Sequence, residues 1–410
     1  MNFEHFLSKR ILSTKAHKNS VSAPIIKIGV IAIALGIIVM IISIGVGFGM
    51  QREIKDKISS FESHIIIQSF NNTINENSVN PISPNLKFID YLNSIPEVKN
   101  IERTISKFGI VRTTQDFDGL YFKGLEKNYD FSRIKKYIVE GNIPLFSDDF
   151  SNDVLISKTL ADKLNLKVEG SFQMLFSNYD NPNPYVIKLI VVGIYDSGFE
   201  ELDSKFIFGD IKQIRRISKW DDDEISSLEI FIHDMKYLQS TSENIYLNSP
   251  PDYDVITIKQ KYFSVYEWIG LFDKNIYAII FIMILVASVN IISVLLVLIL
   301  ERTNMIGILK AFGLSNKSLQ KFFIYTASYL ILIGILIGNV IGLLILTIQN
   351  KYKIITLDPK IYYVDSVPVF IEFSHIFILN IIVFMLCVIS IFFPSLLVSK
   401  VSPKDSIKFN

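Results

Sequence analysis

The sequence predicts an α-helical membrane protein with four transmembrane helices and a mixed α+β extracytoplasmic domain inserted between helices 1 and 2. Half of its 410 residues are hydrophobic, and they are concentrated in four long runs. About 225 residues of mixed polarity separate the first two runs, and their periodicity changes between that of strands and that of helices. Clustering of this kind indicates membrane spans rather than one large soluble core.

Four apolar runs are long enough to cross a bilayer, which takes about 20 residues in a helix. None contains a charged residue, and each must be helical because backbone groups in lipid are satisfied internally. The first is about twice as long as a signal-peptide core, and no A-x-A-like site follows it. The runs are Ile28–Met50, Ile276–Leu300, Phe322–Ile348 and Ile376–Val398, assigned to transmembrane segments 25–50, 276–300, 322–348 and 376–399.

Basic residues in the short flanking segments predict the orientation, because lysine and arginine favour the cytoplasmic side. They precede the first span, separate the second from the third, and follow the fourth. Both termini are therefore expected in the cytoplasm, with segment 51–275 and the shorter loop 349–375 outside. These residues are Lys9, Arg10, Lys15, Lys18, Arg302, Lys310, Lys317, Lys321, Lys400, Lys404 and Lys408.

The outer domain, 51–275, begins with the charged amphipathic stretch Gln51–Ser60, which predicts a helical stalk continuing the first span. Beyond it, alternating and β-rich runs predict strands, and two segments with helical spacing predict helices, the second capped by Ser157. The predicted strands are His64–Gln68, Ile101–Thr113, Asp153–Ile156, Leu189–Tyr195, Lys205–Phe208 and Ser227–His233; the helices are Asn85–Leu92 and Ser157–Leu164.

Several chemical functions find no support in the sequence. A net charge of +1 gives no field that would attract nucleic acid. Segment 313–318 has glycine and lysine but lacks the spacing of a phosphate-binding loop, so no ATP is expected on this chain. The five histidines are scattered and predict no metal site, Cys387 lies in an apolar run, and the acidic run Asp221–Glu224 is best explained as a solvated loop. Nothing predicts catalysis.

The segment 301–321 between spans two and three is short and amphipathic. Met305, Ile308, Leu309 and Phe312 recur at helical spacing, and Gly313 and Ser315 predict the end of this helix and the start of the next. One interpretation is a loop helix resting on the inner leaflet. The other is a helix that inserts into a groove of a cytoplasmic motor subunit.

Two further features predict packing and anchoring. Gly334, Gly338 and Gly342 form a smooth stripe on the third span, where another helix can approach closely. Their spacing does not distinguish a helix of the same bundle from one of a second subunit. The start of the chain, 1–24, carries apolar residues on one face and basic residues elsewhere, which predicts a cytoplasmic interfacial helix.

Motifs at the joints of the chain resemble the FtsX-like permease superfamily, and within it the lipoprotein-releasing LolC/LolE type. Gly47–Lys57 (GFGMQREIKDK) with Phe61–His64, and Leu357–Val369 (LDPKIYYVDSVPV), are similar to segments of the lipoprotein-releasing group. Glu301–Gly313 (ERTNMIGILKAFG) and the tail from Pro394 to Ile407 are similar to segments shared by the whole superfamily. The resemblance covers most of the chain.

The outer domain carries two more stretches that resemble this family. Val154–Gly170 is similar to the family's strand and helix that end in L-G-L-x-x-G-D, although Asn165 and Ser171 replace the first glycine and the aspartate. Ser197–Ser204 (SGFEELDS) resembles an SG-x-x-[ED]-x-D-S stretch. These departures affect a turn.

The resemblance implies a multi-pass inner-membrane permease subunit with a MacB-like periplasmic domain, which transfers lipoproteins to a periplasmic chaperone. Its expected partners are a cytoplasmic ABC ATPase holding ATP and Mg²⁺, a second copy or sister permease, lipoprotein cargo and membrane lipid, but not nucleic acid. The residues expected to couple with the ATPase are Glu301, Arg302, Met305, Ile306, Gly307, Ile308, Leu309, Lys310, Phe312 and Gly313.

In this family, one of two related permeases carries a hairpin that holds the chaperone. The counterpart here is the loop from Phe176 to Tyr185, for which an ordinary hairpin turn is the alternative. The candidate docking residues are Phe176, Tyr179, Asn181, Pro182, Pro184 and Tyr185. Two other kinds of protein with the same coupling segment are alternatives. One is a mechanotransmission permease of a macrolide or toxin exporter, and the other is a non-transporting regulator of cell-wall hydrolases.

Overall fold

The computed structural model describes residues 22–74, 79–113, 116–177 and 183–396. These residues divide into two compact units. The first, called the membrane unit, contains the described residues up to Arg52, Ile269–Thr356, and those from Ser366 onward. The second, called the sheet unit, contains Glu53–Trp268 and Leu357–Asp365. The predicted interfacial helix, apart from residues 22–24, and the cytoplasmic tail 400–410 lie outside the described residues.

The described elements follow in chain order. The helices are α1 Ser22–Phe61, α2 Phe70–Ile74, α3 Leu86–Ser94, α4 Ser132–Lys135, α5 Lys158–Leu164, α6 Glu200–Asp203, α7 Ile211–Ser218, α8 Leu238–Asn248, α9 Ile258–Lys261, α10 Phe263–Glu301, α11 Thr303–Ala311, α12 Asn316–Tyr352, α13 Pro359–Tyr362 and α14 Phe373–Ser395. The strands are β1 Ile65–Ser69, β2 Val98–Arg112, β3 Phe117–Leu125, β4 Ile138–Gly141, β5 Asp153–Ser157, β6 Ser171–Phe176, β7 Tyr185–Tyr195, β8 Phe206–Asp210, β9 Ser227–Ile232 and β10 Tyr253–Thr257.

Helices α1, α10 and α12 contain the first three predicted spans, and α14 contains the fourth as far as Ser395, whereas residues 397–399 of that span lie outside the described residues. In the described part of the chain these four are the helices long and apolar enough to cross a membrane. Three of them are longer than their apolar runs, because polar residues continue the helix beyond the hydrocarbon. In α1 this continuation covers Gln51–Ser60, which confirms that the predicted stalk is helical.

The core of the membrane unit is built from apolar side chains of all four long helices and of α11. In α1, Ile33, Ile37 and Ile41 are fully buried at helical spacing, so one face of this helix points into the bundle. Buried residues of the other helices meet them there, including Ile291, Ile306, Ile331 and Val383. Large apolar side chains remain exposed on the outer faces of α10, α12 and α14, as expected of helices in lipid.

The sheet unit is a ten-stranded mixed sheet with strand order β10-β1-β9-β2-β3-β8-β5-β7-β4, in which β6 pairs with both β2 and β7. Two pairs, β3 with β8 and β5 with β7, are parallel, and the remaining principal pairs are antiparallel. Helices α3 and α7 pack against β2, and α8 packs against β10. The unit is therefore the predicted mixed α+β domain.

The predicted elements of this unit are present within a few residues of their expected ends. Asn85 caps α3 by accepting a hydrogen bond from the Phe88 amide at 2.8 Å, and Ser157 caps α5 by accepting from the Leu160 amide at 3.1 Å. Strands β3, β4, β6 and β10 and helices α7 and α8 were not predicted. Asn165, which replaces a family glycine, ends α5 in the left-handed conformation at φ 54°. Asparagine tolerates this region better than most residues, so the turn is preserved.

One face of the sheet buries charged residues. The register places Glu102 of β2 opposite Glu229 of β9, so two carboxylates would repel each other without cations. Arg133 donates two hydrogen bonds to Glu102, both at 2.8 Å, and the Lys123 ammonium lies 2.7 Å from Glu229 Oε1. Each carboxylate thus has its own cation.

Glu62, just before β1, completes this cluster. It accepts hydrogen bonds from Lys261 at 2.9 Å and from the Tyr262 hydroxyl at 2.8 Å, and it lies 4.0 Å from Lys123. Burial would raise the pKa of Glu62, but Lys261 and Lys123 outweigh it and lower the pKa to about 2. Burial opposes the charge on Lys123 as well, yet Glu229 and Glu62 raise the pKa of its ammonium. Glu62 and Lys123 are therefore both ionised at neutral pH.

Replacement of Lys123 tests this cluster. Lys123→Ala leaves two buried carboxylates without their shared cation and should destabilise the sheet unit by about 3–5 kcal/mol. Lys127→Ala removes an exposed ion pair with Asp148 and should leave stability almost unchanged, because solvent screens such a pair. Both tryptophans, Trp220 and Trp268, belong to the sheet unit, so the unfolding midpoint of tryptophan fluorescence measures its stability. Equal midpoints for the two variants would contradict the prediction.

Candidate coupling and docking sites

The predicted coupling segment folds as the short helix α11, with a defined start and end. Hydrogen bonds from the Arg302 amide to Leu298 O (3.2 Å) and from the Ile306 amide to Arg302 O (2.9 Å) join it closely to α10. At its other end, Gly313 adopts φ +89°. Its amide donates to Lys310 O (2.9 Å) and that of Leu314 to Leu309 O (3.0 Å), which is the Schellman pattern of helix termination. Ser315 then caps α12.

The two faces of α11 differ in their exposure. Ile306 is fully buried, Gly307 is also buried, and Met305 and Leu309 pack against the core of the membrane unit. Ile308 is 49% exposed and Phe312 is 86% exposed. Met305, Ile308, Leu309 and Phe312 lie within an arc of about 100°, as their helical spacing predicts, but the bundle covers only part of this arc. Met305 and Leu309 hold the helix to the bundle, and Ile308 and Phe312 leave an apolar surface uncovered.

The glycine stripe of α12 faces α1 of the same chain. A Cβ atom on Gly334 would lie 2.8 Å from Ile33 Cγ2, and one on Gly338 would lie 2.6 Å from Ile37 Cβ and 2.8 Å from the Ala34 carbonyl oxygen. At Gly342 the nearest atoms, all of Ile41, are 3.4 Å away. The stripe therefore allows close approach within one bundle and is tightest at its centre.

The candidate docking loop connects the antiparallel strands β6 and β7, and the register pairs Phe176 with Tyr185. This confirms a hairpin at the predicted position. Phe176 is fully buried and contacts the ring of Phe122, so it belongs to the core and not to a docking surface. Pro184 is exposed and Tyr185 is half-buried. Tyr179, Asn181 and Pro182 lie outside the described residues.

A contact that spans most of the sequence joins two of the family-like motifs in the sheet unit. The Lys57 ammonium of α1 donates to the Tyr363 carbonyl at 2.9 Å, across 306 residues of sequence. The Tyr363 ring lies 4.5 Å from the ring of Phe199 and 5.6 Å from that of Trp268, between ring centroids. Tyr363 itself adopts φ 61°, an uncommon conformation for an aromatic residue. Such a backbone persists only where the surroundings fix it.

The Ser197–Ser204 motif lies beside this contact. Gly198 adopts φ +63°, which favours glycine, and a Cβ atom there would lie 2.8 Å from the Lys57 ammonium nitrogen, so a side chain would displace Lys57. The Asp203 carboxylate accepts a hydrogen bond from the Ser197 amide at 3.2 Å. Burial raises the pKa of Asp203 to about 6, although this hydrogen bond acts in the opposite direction. The motif thus forms a tight polar turn around Lys57.

Two polar features of the structure were not anticipated from the sequence. In the membrane unit, Asn339 of α12 and Asn380 of α14 exchange two side-chain hydrogen bonds of 3.1 Å. Such amide pairs join helices where lipid offers no other partner. In the sheet unit, Glu62, Lys123 and Glu229 form the buried ionic cluster described above. A charged residue within an alternating apolar strand is a signal for such pairing, but it does not identify the partner.

Two family profiles match the chain. The profile of the MacB-like periplasmic core domain matches residues 28–260, and that of the FtsX-like permease C-terminal region matches residues 277–403. The chain belongs to the FtsX-like and MacB-type permease superfamily. It is accordingly an ABC-transporter permease of the inner membrane, and its sheet unit is the periplasmic domain of that family.

Relatives of the lipoprotein-releasing group align with this permease over nearly its whole length. The transmembrane protein LolE of Haemophilus influenzae is 23% identical, with 98% of each chain covered. The transmembrane protein LolC of Neisseria meningitidis is 21% identical, with 100% of this chain and 99% of the relative covered. Among solved structures, the periplasmic region of MacB from Actinobacillus actinomycetemcomitans is 14% identical, with a TM-score of 0.32, over 47% of this chain and 87% of that one.

The glycine stripe gives a graded prediction. Gly338→Ala places a methyl group against the backbone of α1 and should destabilise the membrane unit by about 1–3 kcal/mol. Gly342→Ala adds the same group at ordinary contact distance and should be neutral, because the better helix propensity of alanine offsets any adjustment. Cys387, the one cysteine of the chain, is buried in this unit, so its labelling by a fluorogenic maleimide during heating measures unfolding. A lower midpoint for Gly342→Ala than for Gly338→Ala would contradict the geometry.

Proposed function

We propose that this permease extracts lipoproteins from the inner membrane and passes them to a periplasmic chaperone for delivery to the outer membrane. A separate cytoplasmic ATPase, which binds ATP and Mg²⁺, drives the process through α11. The observation that carries the coupling role is the uncovered apolar face of Ile308 and Phe312 on a helix whose other face is fixed to the bundle. The full-length similarity to the lipoprotein-releasing proteins LolE and LolC supports the lipoprotein cargo.

The chemistry of the cargo explains why a driven permease is needed. Acyl chains are held in a bilayer by about 0.8 kcal/mol per buried CH₂ group, so several long chains together amount to tens of kcal/mol. Release into water is therefore too costly, and the chains must pass from lipid into another apolar environment. The permease provides the first such environment, and a chaperone that accepts the acyl chains provides the second.

The proposed conformational change begins at α11, which the ATPase moves. Short loops join α11 to α10 and α12, and its buried residue Ile306 lies in the core shared by the long helices. A push on α11 therefore moves packed helices and not a free loop. With both termini in the cytoplasm, as the basic residues predict, α11 faces the ATPase and the sheet unit faces the periplasm. A second copy or a sister permease completes the assembly.

Ile308→Asp tests the coupling. An aspartate on the uncovered face should prevent insertion of α11 into an apolar groove of the ATPase and lower lipoprotein release from spheroplasts at least about tenfold. Membrane insertion should not change, because the side chain does not contribute to the core. Gly307→Trp should also uncouple release, but its position is buried, so disturbed packing contributes to its effect.

The matched control is Ile354→Asp, because Ile354 is an exposed isoleucine of the membrane unit outside α11. It should release lipoproteins at the normal rate. Normal release by Ile308→Asp, at equal amounts of protein in the membrane, would refute the coupling role.

The hairpin between β6 and β7 is the proposed chaperone contact. A cysteine introduced at Asn181 should form a disulfide with a chaperone that carries a cysteine at its docking surface. The native Cys387 is buried and should not compete. A cysteine at Leu247, which is exposed on α8, should not crosslink and serves as the control. Failure to crosslink throughout residues 177–184 would exclude this loop as the docking site.

A further inference from the structure

One loop of the described chain takes part in both units, and neither the coupling helix nor the docking hairpin explains it. Residues 355–367, called the connector loop, join α12 to α14 and contain the short helix α13. Their middle, Leu357–Asp365, belongs to the sheet unit, whereas Thr356 and Ser366 on either side belong to the membrane unit. The other described passages between the units lie within the long helices α1 and α10. The connector loop is therefore the link to the sheet unit that starts from α12.

The two ends of the connector loop form a short hydrogen-bonded stem. The Val367 amide donates to the Ile355 carbonyl at 3.1 Å, and the Leu357 amide donates to the Asp365 carbonyl at 2.9 Å. Backbone groups that pair in this way open together and not one by one, so the stem behaves as one piece. A displacement at its base therefore reaches the residues of the tip, 358–364.

Gln349 of α12 anchors this stem to the membrane unit. Its side-chain nitrogen donates to the carbonyls of Ile355 and Val367, both at 3.1 Å, and its side-chain oxygen accepts from the Ile355 amide at 3.0 Å. Gln349 is buried, so its amide depends on these three hydrogen bonds. The outer end of α12 cannot move far without either carrying the stem or breaking them.

The tip of the loop is fastened in the sheet unit at Lys57. The Lys57 ammonium donates to the Tyr363 carbonyl at 2.9 Å, the Tyr363 ring packs against Phe199, and Val364 beside it is only 2% exposed. Burial lowers the pKa of Lys57, and the charge of Asp365 acts in the opposite direction. The connector loop thus supplies a buried ammonium with both an acceptor and a compensating charge.

The geometry points to the connector loop as a force-bearing link, through which displacement of α12 reaches the sheet unit, with Lys57 as the positioning residue that holds its tip. A loop that only joins two helices runs over the surface and needs no anchors. This one is anchored at both ends, and the φ of 61° at Tyr363 would relax if the tip were free. The link rests on the proposed function in one respect, that an ATPase acting at α11 supplies the displacement.

Lys57→Ala tests the tip and leaves the stem intact. In the full chain with its ATPase in lipid nanodiscs, amide hydrogen exchange in segment 357–365 should rise at least about tenfold, because a buried charge-assisted hydrogen bond is lost. Lipoprotein release per ATP hydrolysed should fall at least about fivefold, because the tip is then undocked for most of the time. Lys57→Met, which keeps the length of the side chain, should behave in the same way.

The matched control is Lys236→Ala. Lys236 also belongs to the sheet unit and makes an ion pair, with Asp234 at 3.0 Å, but it does so at the surface. This variant should change neither hydrogen exchange in the connector loop nor release. Release at the normal rate by Lys57→Ala, despite faster exchange in 357–365, would overturn the inference.

Gln349→Met tests the other end of the link. It removes three hydrogen bonds from the stem but none from the tip, and release should again fall at least about fivefold. Thr347→Val is the control, because the exposed Thr347 hydroxyl bonds only to the Leu343 carbonyl of the same helix. Labelling of Cys387 shows whether the membrane unit is folded. Normal release by folded Gln349→Met would exclude a force-bearing stem.

A disulfide tests whether the fastening matters and not the lysine itself. A Cβ atom on Gly198 would lie 4.0 Å from Pro359 Cβ. This separation is within the range of about 3.5–4.5 Å found in disulfides. Lys57→Ala also removes the ammonium that such a Cβ would meet, so Gly198→Cys and Pro359→Cys can be added to it. Oxidation of this triple variant should restore release and slow hydrogen exchange in the loop, and reduction should abolish both effects.

The reduced triple variant is the control for backbone strain at position 198, because it carries the same substitutions. The native Cys387 is buried and should not compete. A disulfide confirmed by mass spectrometry that leaves release impaired would contradict the force-bearing role. Failure of the disulfide to form under an oxidant would contradict the seating of the tip.

Nucleotide-dependent hydrogen exchange separates this inference from the proposed function, because it needs no cargo. ATP and Mg²⁺ should change exchange in the sheet unit of the unmodified chain, and this change should be absent from Lys57→Ala and return in the oxidised triple variant. Lipoprotein release that does not depend on this permease would refute the cargo and leave this result to decide the link. A nucleotide effect that persists in Lys57→Ala, or is missing from the unmodified chain, would refute the link and leave the cargo intact.

Discussion

The arrangement of the membrane unit depends on the close approach of α1 to its neighbours. Lipid provides no hydrophobic force between helices, so association relies on van der Waals contact and hydrogen bonds, both of which need short distances. Glycines supply these distances on both sides of the contact. Gly334 and Gly338 of α12 admit isoleucines of α1, and Gly45 of α1 admits Leu346 of α12. The Gly45 carbonyl also accepts a hydrogen bond from the Phe370 amide at 2.9 Å. These short distances thus join α1 to α12 and to the segment that contains Phe370.

The sheet unit is organised by charge as well as by apolar burial. Glu62, Lys123 and Glu229 could in principle be replaced by apolar residues without loss of stability, because desolvation offsets much of the attraction within a buried ion cluster. Their presence is better explained by what the cluster does for its surroundings. Lys123 of β3 contacts Glu229 of β9 and Glu62 just before β1. The ionic cluster therefore fixes these three parts of the sheet relative to one another.

The sequence predicted the parts of the fold that depend on local patterns. Uninterrupted apolar runs identified the four spans, and cap residues such as Asn85 and Ser157 identified helix starts, because both signals act over a few residues. Strand β3 was missed because Gly119 and Gly124 interrupt its pattern, and both lie where a neighbouring strand or helix comes close. Such proximity is a property of the fold and is not visible in a short window of sequence.

The candidate sites show the same difference between local patterns, which the sequence reveals, and long-range contacts, which it does not. Helical spacing predicted α11, its end at Gly313 and the arc that Met305, Ile308, Leu309 and Phe312 share, but it did not predict which of these residues the bundle buries. The apolar residues cover so much of this short helix that spacing alone cannot determine which of them the bundle covers. The partner of the glycine stripe and the contact between Lys57 and Tyr363 depend on pairing across tens to hundreds of residues. Family resemblance marked both ends of that contact, but not the contact itself.

The contact between Lys57 and Tyr363 also affects the order of folding events while the chain is synthesised. Segment 357–365 completes the sheet unit, but it follows Trp268 by roughly 90 residues that include α10, α11 and α12. At a translation rate of about 5–20 residues per second, the carbonyl that receives Lys57 emerges some 5–20 s after the last strand. Until then Lys57, Phe199 and Trp268 lack their contacts with Tyr363. The periplasmic domain reaches its final state only after the third membrane helix has been made, so its folding overlaps with membrane insertion of the chain.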